Sequence, residues 1–75
     1  MSRIEINPNV MLGKPIVRGT RIPVELILRR ISEGASEDQL IAAYPNLTRE
    51  DIRAAVAFAA DEIAHTESID NTDLH

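Results

Sequence analysis

The spacing of hydrophobic residues predicts three helices after an N-terminal third with a different pattern. Over residues 23–33 and 48–65, apolar side chains recur at the i, i+3, i+4 and i+7 positions of a helix, and a shorter run covers residues 36–44. Gly34 ends the first helix. The apolar faces predicted to form the core contain Val24, Ile27, Leu28 and Ile31, then Leu40, Ile41 and Tyr44, and finally Ile52, Ala55, Val56, Ala59 and Ile63.

Local capping signals support these helix boundaries. Ser36 and Gln39 have the spacing of a capping box, in which each side chain bonds the other residue's backbone N–H. Thr48 precedes the third helix, and Asp51 at its N3 position suits the positive end of the helix dipole. Pro45 ends the second helix, since the residue before a proline avoids the helical region. The short connection between the last two helices is typical of a helix-turn-helix.

The N-terminal third has the pattern of β structure. Residues 3–6 alternate polar and apolar, and residues 7–9 end that strand with an Asn-Pro-Asn turn. Residues 15–18 and 21–22 have the pattern of two hairpin arms. Gly19-Thr20 would form their two-residue corner, because glycine readily adopts positive φ. The expected fold is therefore mostly α, with an N-terminal β-hairpin followed by a three-helix helix-turn-helix unit.

The chain has 75 residues, which predicts one domain over residues 1–65 and an acidic, disordered tail over residues 66–75. A core of this size seldom supplies more than about 3–5 kcal/mol of stability. The sequence has no cysteine and only two aromatic residues, so disulfides and large core side chains are not available to strengthen it. We therefore expect a homodimer, with residues 4–6 and 16–22 near the interface because an open strand edge needs cover.

The net charge of −4 conceals a division along the chain. Residues 1–30 hold six basic and two acidic side chains, whereas residues 31–75 hold two basic and ten acidic ones. This asymmetry indicates a basic face for an anionic partner, although ordinary solvated surface gives the same composition. The N-terminus lacks the apolar segment of a signal peptide, and no apolar run reaches the ~20 residues of a membrane span. A soluble, cytoplasmic protein is expected.

Three sequence elements together resemble a known family. They are GKPIVRGTRIPV at residues 13–24, Gly-Ala-Ser at residues 34–36 and YPNLTREDI at residues 44–52. Over about residues 4–64 the chain resembles the domain-of-unknown-function family numbered 433. The resemblance implies a small bacterial VapB-like antitoxin with a helix-turn-helix core, encoded beside a PIN-like ribonuclease toxin. The implied function is binding of that toxin, with the chain's own promoter DNA as a second ligand. The alternative is a protein-interaction or dimerisation module without DNA binding.

The chain departs from that family pattern at two places. Phe58-Ala59 stands where the family usually has Tyr-Ala, so the ring is kept and the hydroxyl is lost. VapB-type antitoxins often insert a basic C-terminal segment into a carboxylate-lined toxin site. This chain has no Lys or Arg after Arg53, so its acidic tail is not expected to fill such a site.

Nucleic-acid binding is the first candidate activity. In a helix-turn-helix the later helix enters the major groove, and the residues at its N-terminus contact bases. Acidic residues on the same helix and a pI near 5.0 oppose this, whereas a dimer would double the basic N-terminal ribbon. The candidate DNA-binding residues are Lys14, Arg18 and Arg21 in the N-terminal segment, and Thr48, Arg49 and Arg53 in the third helix.

Binding of a partner protein is the second candidate. On a helical wheel Phe58 points roughly 120° away from Ile52, and it lies near Ala54 on a flank that the apolar stripe does not include. An exposed ring beside small residues is typical of an interface, so Ala54 and Phe58 are the candidate partner-binding residues. Alternatively, Phe58 folds back onto the second helix or the tail.

Catalysis has little support in this sequence. Gly13-Lys14 lacks the upstream glycine and the following Ser or Thr of a phosphate-binding loop, and no nucleophile–base pair is suggested. Asp61 and His65 are one helical turn apart, but two common surface side chains are a weak indication of a metal site. We expect no catalytic residue, no metal ion, no cofactor and no small-molecule substrate.

Overall fold

A computed structural model of the chain describes residues 2–66. It confirms the predicted fold class, with two antiparallel strands at the N-terminus followed by three helices. The predicted tail beyond residue 66 lies outside the described residues. In chain order the elements are β1 (Ile4–Ile6), a 3₁₀ turn (Met11–Gly13), β2 (Pro15–Val17), α1 (Val24–Ser32), α2 (Glu37–Ala43) and α3 (Arg49–Thr66).

The sheet pairs β2 with β1, whereas the predicted hairpin paired residues 15–18 with residues 21–22. β1 runs antiparallel to β2, with Ile4 opposite Val17 and Ile6 opposite Pro15. Residues 21–22 form no strand, so the expected hairpin of residues 15–18 with 21–22 is reduced to an isolated antiparallel bridge between Ile16 and Pro23 and one backbone hydrogen bond. The physical reason is burial: Ile4 and Val17 both enter the hydrophobic core, and pairing β1 with β2 places them there together.

The tight turn near Gly19 does form, one residue earlier than expected. The backbone N–H of Thr20 donates to the carbonyl of Val17 over 3.0 Å, so Arg18 and Gly19 are the central residues of the turn. Gly19 has φ of +83°, the value that a type II turn requires at its third residue. A further bond from the N–H of Val17 to the carbonyl of Ile22, 2.9 Å long, returns the chain alongside β2 before α1 begins.

The helix boundaries agree closely with the prediction. Pro23 precedes α1 as its N-cap, and Gly34 follows the helix with φ of +100°, a conformation that favours glycine. The capping box of Ser36 and Gln39 is complete: the backbone N–H of each residue donates to the side-chain oxygen of the other. Among the described helices, none combines the length and the apolar character needed to cross a membrane.

The core lies where the three helices meet the sheet, but it is narrower than the predicted apolar faces. Ile31, Val56 and Ile63 are exposed rather than buried. α3 has 18 residues and spans about 27 Å, whereas α1 has nine and α2 has seven, so the shorter helices do not cover the whole length of α3. The buried apolar residues are Ile4, Ile16, Val17, Val24, Ile27, Leu40, Leu47, Ile52 and Ala55.

Candidate functional site

The two arginines at the start of α3 are bound to acidic residues of α2. Arg49 donates to Glu37 over 3.0 Å and to Asp38 over 2.7 Å. Arg53 donates through Nε to Glu37 over 3.1 Å. The hydrogen bonds from Arg53 and Arg49 hold the pKa of the Glu37 carboxyl below its usual value. The ion pairs therefore join the two helices of the helix-turn-helix.

These ion pairs weaken the N-terminus of α3 as a DNA-reading surface. Two carboxylates lie within hydrogen-bonding distance of the guanidinium groups of Arg49 and Arg53, and they would face an approaching phosphate. The hydroxyl of Thr48 accepts a hydrogen bond from the backbone N–H of Asp51. All three predicted base contacts on α3 therefore have partners within the protein.

The basic residues of the N-terminal segment differ in how available they are. Lys14 lies 3.2 Å from Glu25 in an exposed ion pair. Arg18 donates through Nε to the backbone carbonyl of Ser2 over 2.8 Å, which fixes its side chain across the end of β1. Arg21 is exposed and makes no ion pair with any of the residues 2–66. It is consequently the most accessible of the three predicted phosphate contacts.

A buried carboxylate links α3 to the N-terminal strand. Asp51 accepts from Arg3 Nη1 over 3.0 Å through Oδ1 and from the backbone N–H of Thr48 over 3.0 Å through Oδ2. Burial raises the pKa of this carboxyl, but the hydrogen bonds from Thr48 and Arg3 lower it by a larger amount. The pKa of Asp51 therefore lies below its usual value. The Thr48–Asp51 spacing predicted the cap, whereas no local signal pointed to Arg3, 48 residues away.

Phe58 is half-buried instead of exposed, and it packs against the core and lines a groove with Val24 and Leu28 of α1; the alternative contact with the tail lies outside the described residues. It forms part of an open groove of about 290 Å³ between α1, α3 and the start of β2, which we call the Phe58 groove. Ala54 also contacts the core and does not line this groove, so the structure separates the two candidate partner-binding residues. The lining residues are Lys14, Pro15, Val24, Glu25, Leu28, Phe58, Ala59, Glu62 and Ile63.

A second groove, which the sequence did not predict, lies on the opposite flank of α3. It has a volume of about 450 Å³, and we call it the Val56 groove. Its signal was present in the sequence as apolar residues at helical spacing, which we assigned to the core. The groove is lined by Ile31, Ala35, Glu37, Ile52, Arg53, Val56, Ala57 and Ala60.

Metal-ligating side chains are dispersed over the described part of the chain. Between residues 2 and 66, no three His, Asp or Glu side chains come together in an arrangement that could hold an ion. His65 Nδ1 lies 2.9 Å from the backbone carbonyl of Asp61, so that ring nitrogen is occupied by a hydrogen bond within the helix. The described surface thus offers the Phe58 groove, the Val56 groove and a third depression of about 290 Å³ lined by Ser2, Arg3, Arg18 and Asp51.

A solved structure and two protein sequences resemble this chain. The crystal structure of a DUF433 member protein from Anabaena variabilis superposes with a TM-score of 0.80 at 34% identity, covering 91% of this chain and 67% of that one. The "Uncharacterized protein y4eO" of Sinorhizobium fredii is 38% identical over 53 residues, which are 71% of this chain but 24% of that protein. An "Uncharacterized protein" of Archaeoglobus fulgidus is 48% identical over 29 residues, covering 39% of this chain and 81% of that one.

The region that matches the family profile, residues 4–59, includes the N-terminal sheet and most of α3. This chain spans about a quarter of the length of the Sinorhizobium protein, whereas two thirds of the Anabaena chain is covered. The sequence profile described as "Protein of unknown function (DUF433)" matches residues 4–59, which is well over half of this chain. The profile match and the agreement in fold together show that the chain belongs to the DUF433 family.

Proposed function

We propose that this chain is an antitoxin-like regulatory protein that binds a PIN-like ribonuclease toxin and has no catalytic activity of its own. The observation that carries the proposal is the Phe58 groove, an open and mainly apolar depression at the surface of a very small domain. Apolar surface of this kind is typical of a protein-binding site, particularly where it is rimmed by charged groups.

The Phe58 groove has the composition of a partner-binding pocket. Leu28 and Phe58 form its partly buried floor, and Ile63 stands at its edge with 66% of its surface exposed. The exposed Lys14–Glu25 ion pair lies on the rim. An aliphatic or aromatic side chain of the toxin would enter the groove, while polar groups around it would pair with the rim.

Electrostatics favour a protein partner over nucleic acid as the main ligand. The arginines at the N-terminus of α3 are paired with Glu37 and Asp38, and the chain carries a net charge of −4. Each unpaired acidic side chain increases the repulsion between this protein and the phosphates of DNA. The free energy gained by covering an apolar groove depends little on the net charge of the protein. The acidic C-terminal segment would likewise be repelled by a carboxylate-lined toxin site.

Replacing Ile63 with arginine is expected to weaken toxin binding at least about tenfold, since a charge would replace an apolar side chain at the edge of the groove that the partner covers. Ile63 is exposed, so the fold should be retained. The measurement is calorimetric titration with the toxin encoded beside this gene. The matched control is Ile6→Arg, an identical change at an exposed isoleucine on β1, which should leave the affinity unchanged.

Two further variants locate the contact. Phe58→Ala should weaken binding by more than about 1 kcal/mol, and its far-UV circular dichroism must be compared with the parent because the ring also packs against the core. A chain ending at Thr66 should bind the toxin almost normally. An essential C-terminal segment together with silent changes at Ile63 and Phe58 would contradict the proposed site.

Promoter DNA is a second proposed ligand, supported by the exposed turn that carries Arg18 and Arg21. Arg21 has no ion-pair partner among the described residues, whereas Arg18 donates through Nε to the backbone carbonyl of Ser2 and lines a depression with Arg3 and Asp51. Two cations on an exposed ribbon are suited to phosphate contacts, and a dimer would double them. Phosphate contacts carry no sequence information, so this surface would supply affinity rather than specificity.

Arg21→Ala should weaken DNA binding to a similar extent on promoter and unrelated fragments, and it should reduce the dependence of log affinity on log salt by about one unit. Gel-shift titrations at several salt concentrations, with and without toxin, measure both quantities. Arg29→Ala is the matched control, because Arg29 is an exposed arginine near the end of α1. If no fragment shifts at low salt in either condition, DNA is not a ligand.

A further inference from the structure

We infer that the Val56 groove is the homodimer interface, and that α3 of one copy packs antiparallel against α3 of a second copy across a twofold axis near Ala57. The inference is independent of the toxin proposal, because the Val56 groove and the Phe58 groove lie on opposite flanks of α3 and are lined by different residues.

The centre of the Val56 groove is apolar and shaped for another helix. Ile31 of α1 is 37% exposed, and Val56 of α3 is 43% exposed. Both are aliphatic, and the residues one turn before them, Ile27 and Ile52, are buried in the core. Ala57 and Ala60, both exposed, line the same groove and present only a methyl group each. Small side chains let helix axes approach to about 8 Å, so the two α3 helices can meet closely.

The charges along α3 match those of an antiparallel copy. Arg53 lies at the N-terminal end of the groove, and the exposed Asp61 lies beyond its C-terminal end. A twofold axis at residue 57 places position 53 of one copy opposite position 61 of the other. Arg53, which stays bound to Glu37 of its own copy, also meets the partner's Asp61, and symmetry creates this opposite-charge contact twice. Such self-complementarity is what an interface between identical surfaces requires.

The size of the chain also favours a second copy as the occupant. A core of small and medium aliphatic residues in 75 residues gives only marginal stability, and self-association is a common remedy. The sequence placed the dimer interface at residues 4–6 and 16–22. In the structure Ile4, Ile16 and Val17 are buried within the protomer and Ile6 is the exposed isoleucine of that set. The exposed apolar surface of α3 is the better site.

The test is the oligomeric state of the full chain, measured by sedimentation equilibrium across the micromolar range. The parent should be dimeric, and Ala57→Arg should raise the dissociation constant about a hundredfold, because it places two like charges on the axis. Arginine is a good helix former, so circular dichroism should be unchanged. Ala42→Arg, the same change on the exposed side of α2, is the matched control and should remain dimeric.

Exchanging the charges at positions 53 and 61 tests the proposed antiparallel register of the two α3 helices. Arg53→Asp and Asp61→Arg should each weaken the dimer, and the double variant should restore part of the lost affinity, because Arg53→Asp also removes the ion pair with Glu37 inside the protomer. Within one helix these positions are about 12 Å apart, so they do not couple inside a protomer, and restoration requires contact between copies. A monomeric parent would overturn the inference. A dimer that withstands Ala57→Arg would also overturn it, and dissociation by Ile6→Arg would then place the interface at the strand edge.

Discussion

Replacing Ile27 with alanine is expected to remove most of the free energy of unfolding of this protein. Ile27 lies on α1 with no exposed surface, at the point where α1 packs against α3 and β2. Truncation of a fully buried isoleucine typically costs about 2–5 kcal/mol. A domain of this size has only about 3–5 kcal/mol to lose. The variant should be largely unfolded at body temperature.

The change at Ile27 is measured by urea unfolding, followed by circular dichroism at one fixed protein concentration because association also stabilises the fold. Ile6→Ala is the matched control, the same change at an isoleucine of β1 that is 59% exposed and lies outside both grooves. It should cost less than half as much as Ile27→Ala. Equal losses at the two positions would contradict the assignment of Ile27 to the centre of the core.

Helix boundaries could be predicted from the sequence because their signals are local. The capping box of Ser36 and Gln39, the left-handed Gly34 and the stop before Pro45 each act within four residues of the helix end they define. No knowledge of the rest of the fold is needed to interpret them. The predicted and observed ends of all three helices consequently agree within one or two residues.

Strand pairing could not be predicted in the same way, since it depends on contacts between distant residues. The turn at Gly19 was visible in the sequence, and its position suggested pairing of the segments beside it. The stronger requirement was burial of Ile4 beside Val17, 13 residues away, and that selected β1 as the partner of β2. Packing thus decided the sheet where local turn chemistry allowed more than one arrangement.

In the candidate sites too, the position of a residue along its helix could be predicted, whereas its contacts with other elements could not. The sequence placed Arg49 and Arg53 at the start of α3, but their partner Glu37 belongs to another helix. Phe58 was predicted to lie exposed off the main apolar stripe, but it is half-buried against the core, and its place beside α1 depends on how the helices cross. Residue identity and helical phase are local properties, whereas ion pairing and burial follow from the assembled fold.

The Arg3–Asp51 pair is the clearest case of a contact between distant parts of the chain, and its loss should have the second largest effect on stability. Both carboxylate oxygens of Asp51 accept hydrogen bonds, one from Arg3 and one from the N–H of Thr48, and its side chain is only 11% exposed. An amide has a single acceptor oxygen. Asp51→Asn therefore leaves one donor facing an NH₂ group and should cost about 2 kcal/mol at neutral pH.

The pH dependence of this loss identifies its cause. The folded-state pKa of Asp51 is below its usual value, while the same carboxyl in the unfolded chain should have a pKa of about 3.9. The carboxylate therefore stabilises the fold above that pH, and its contribution falls as the pH drops toward the folded-state pKa. The difference in unfolding free energy between the parent and Asp51→Asn should be constant near neutrality and shrink below about pH 4.

Glu50→Gln controls for the charge itself. Glu50 is the neighbouring exposed acid in the first turn of α3, so its replacement alters the interaction with the helix dipole without touching Arg3 or Thr48. It should cost less than about 0.5 kcal/mol at any pH. A comparable loss in both variants would mean that charge near the helix N-terminus stabilises α3. A loss confined to Asp51→Asn and fading in acid would mean that the contact with β1 does, because only Asp51 joins the two elements.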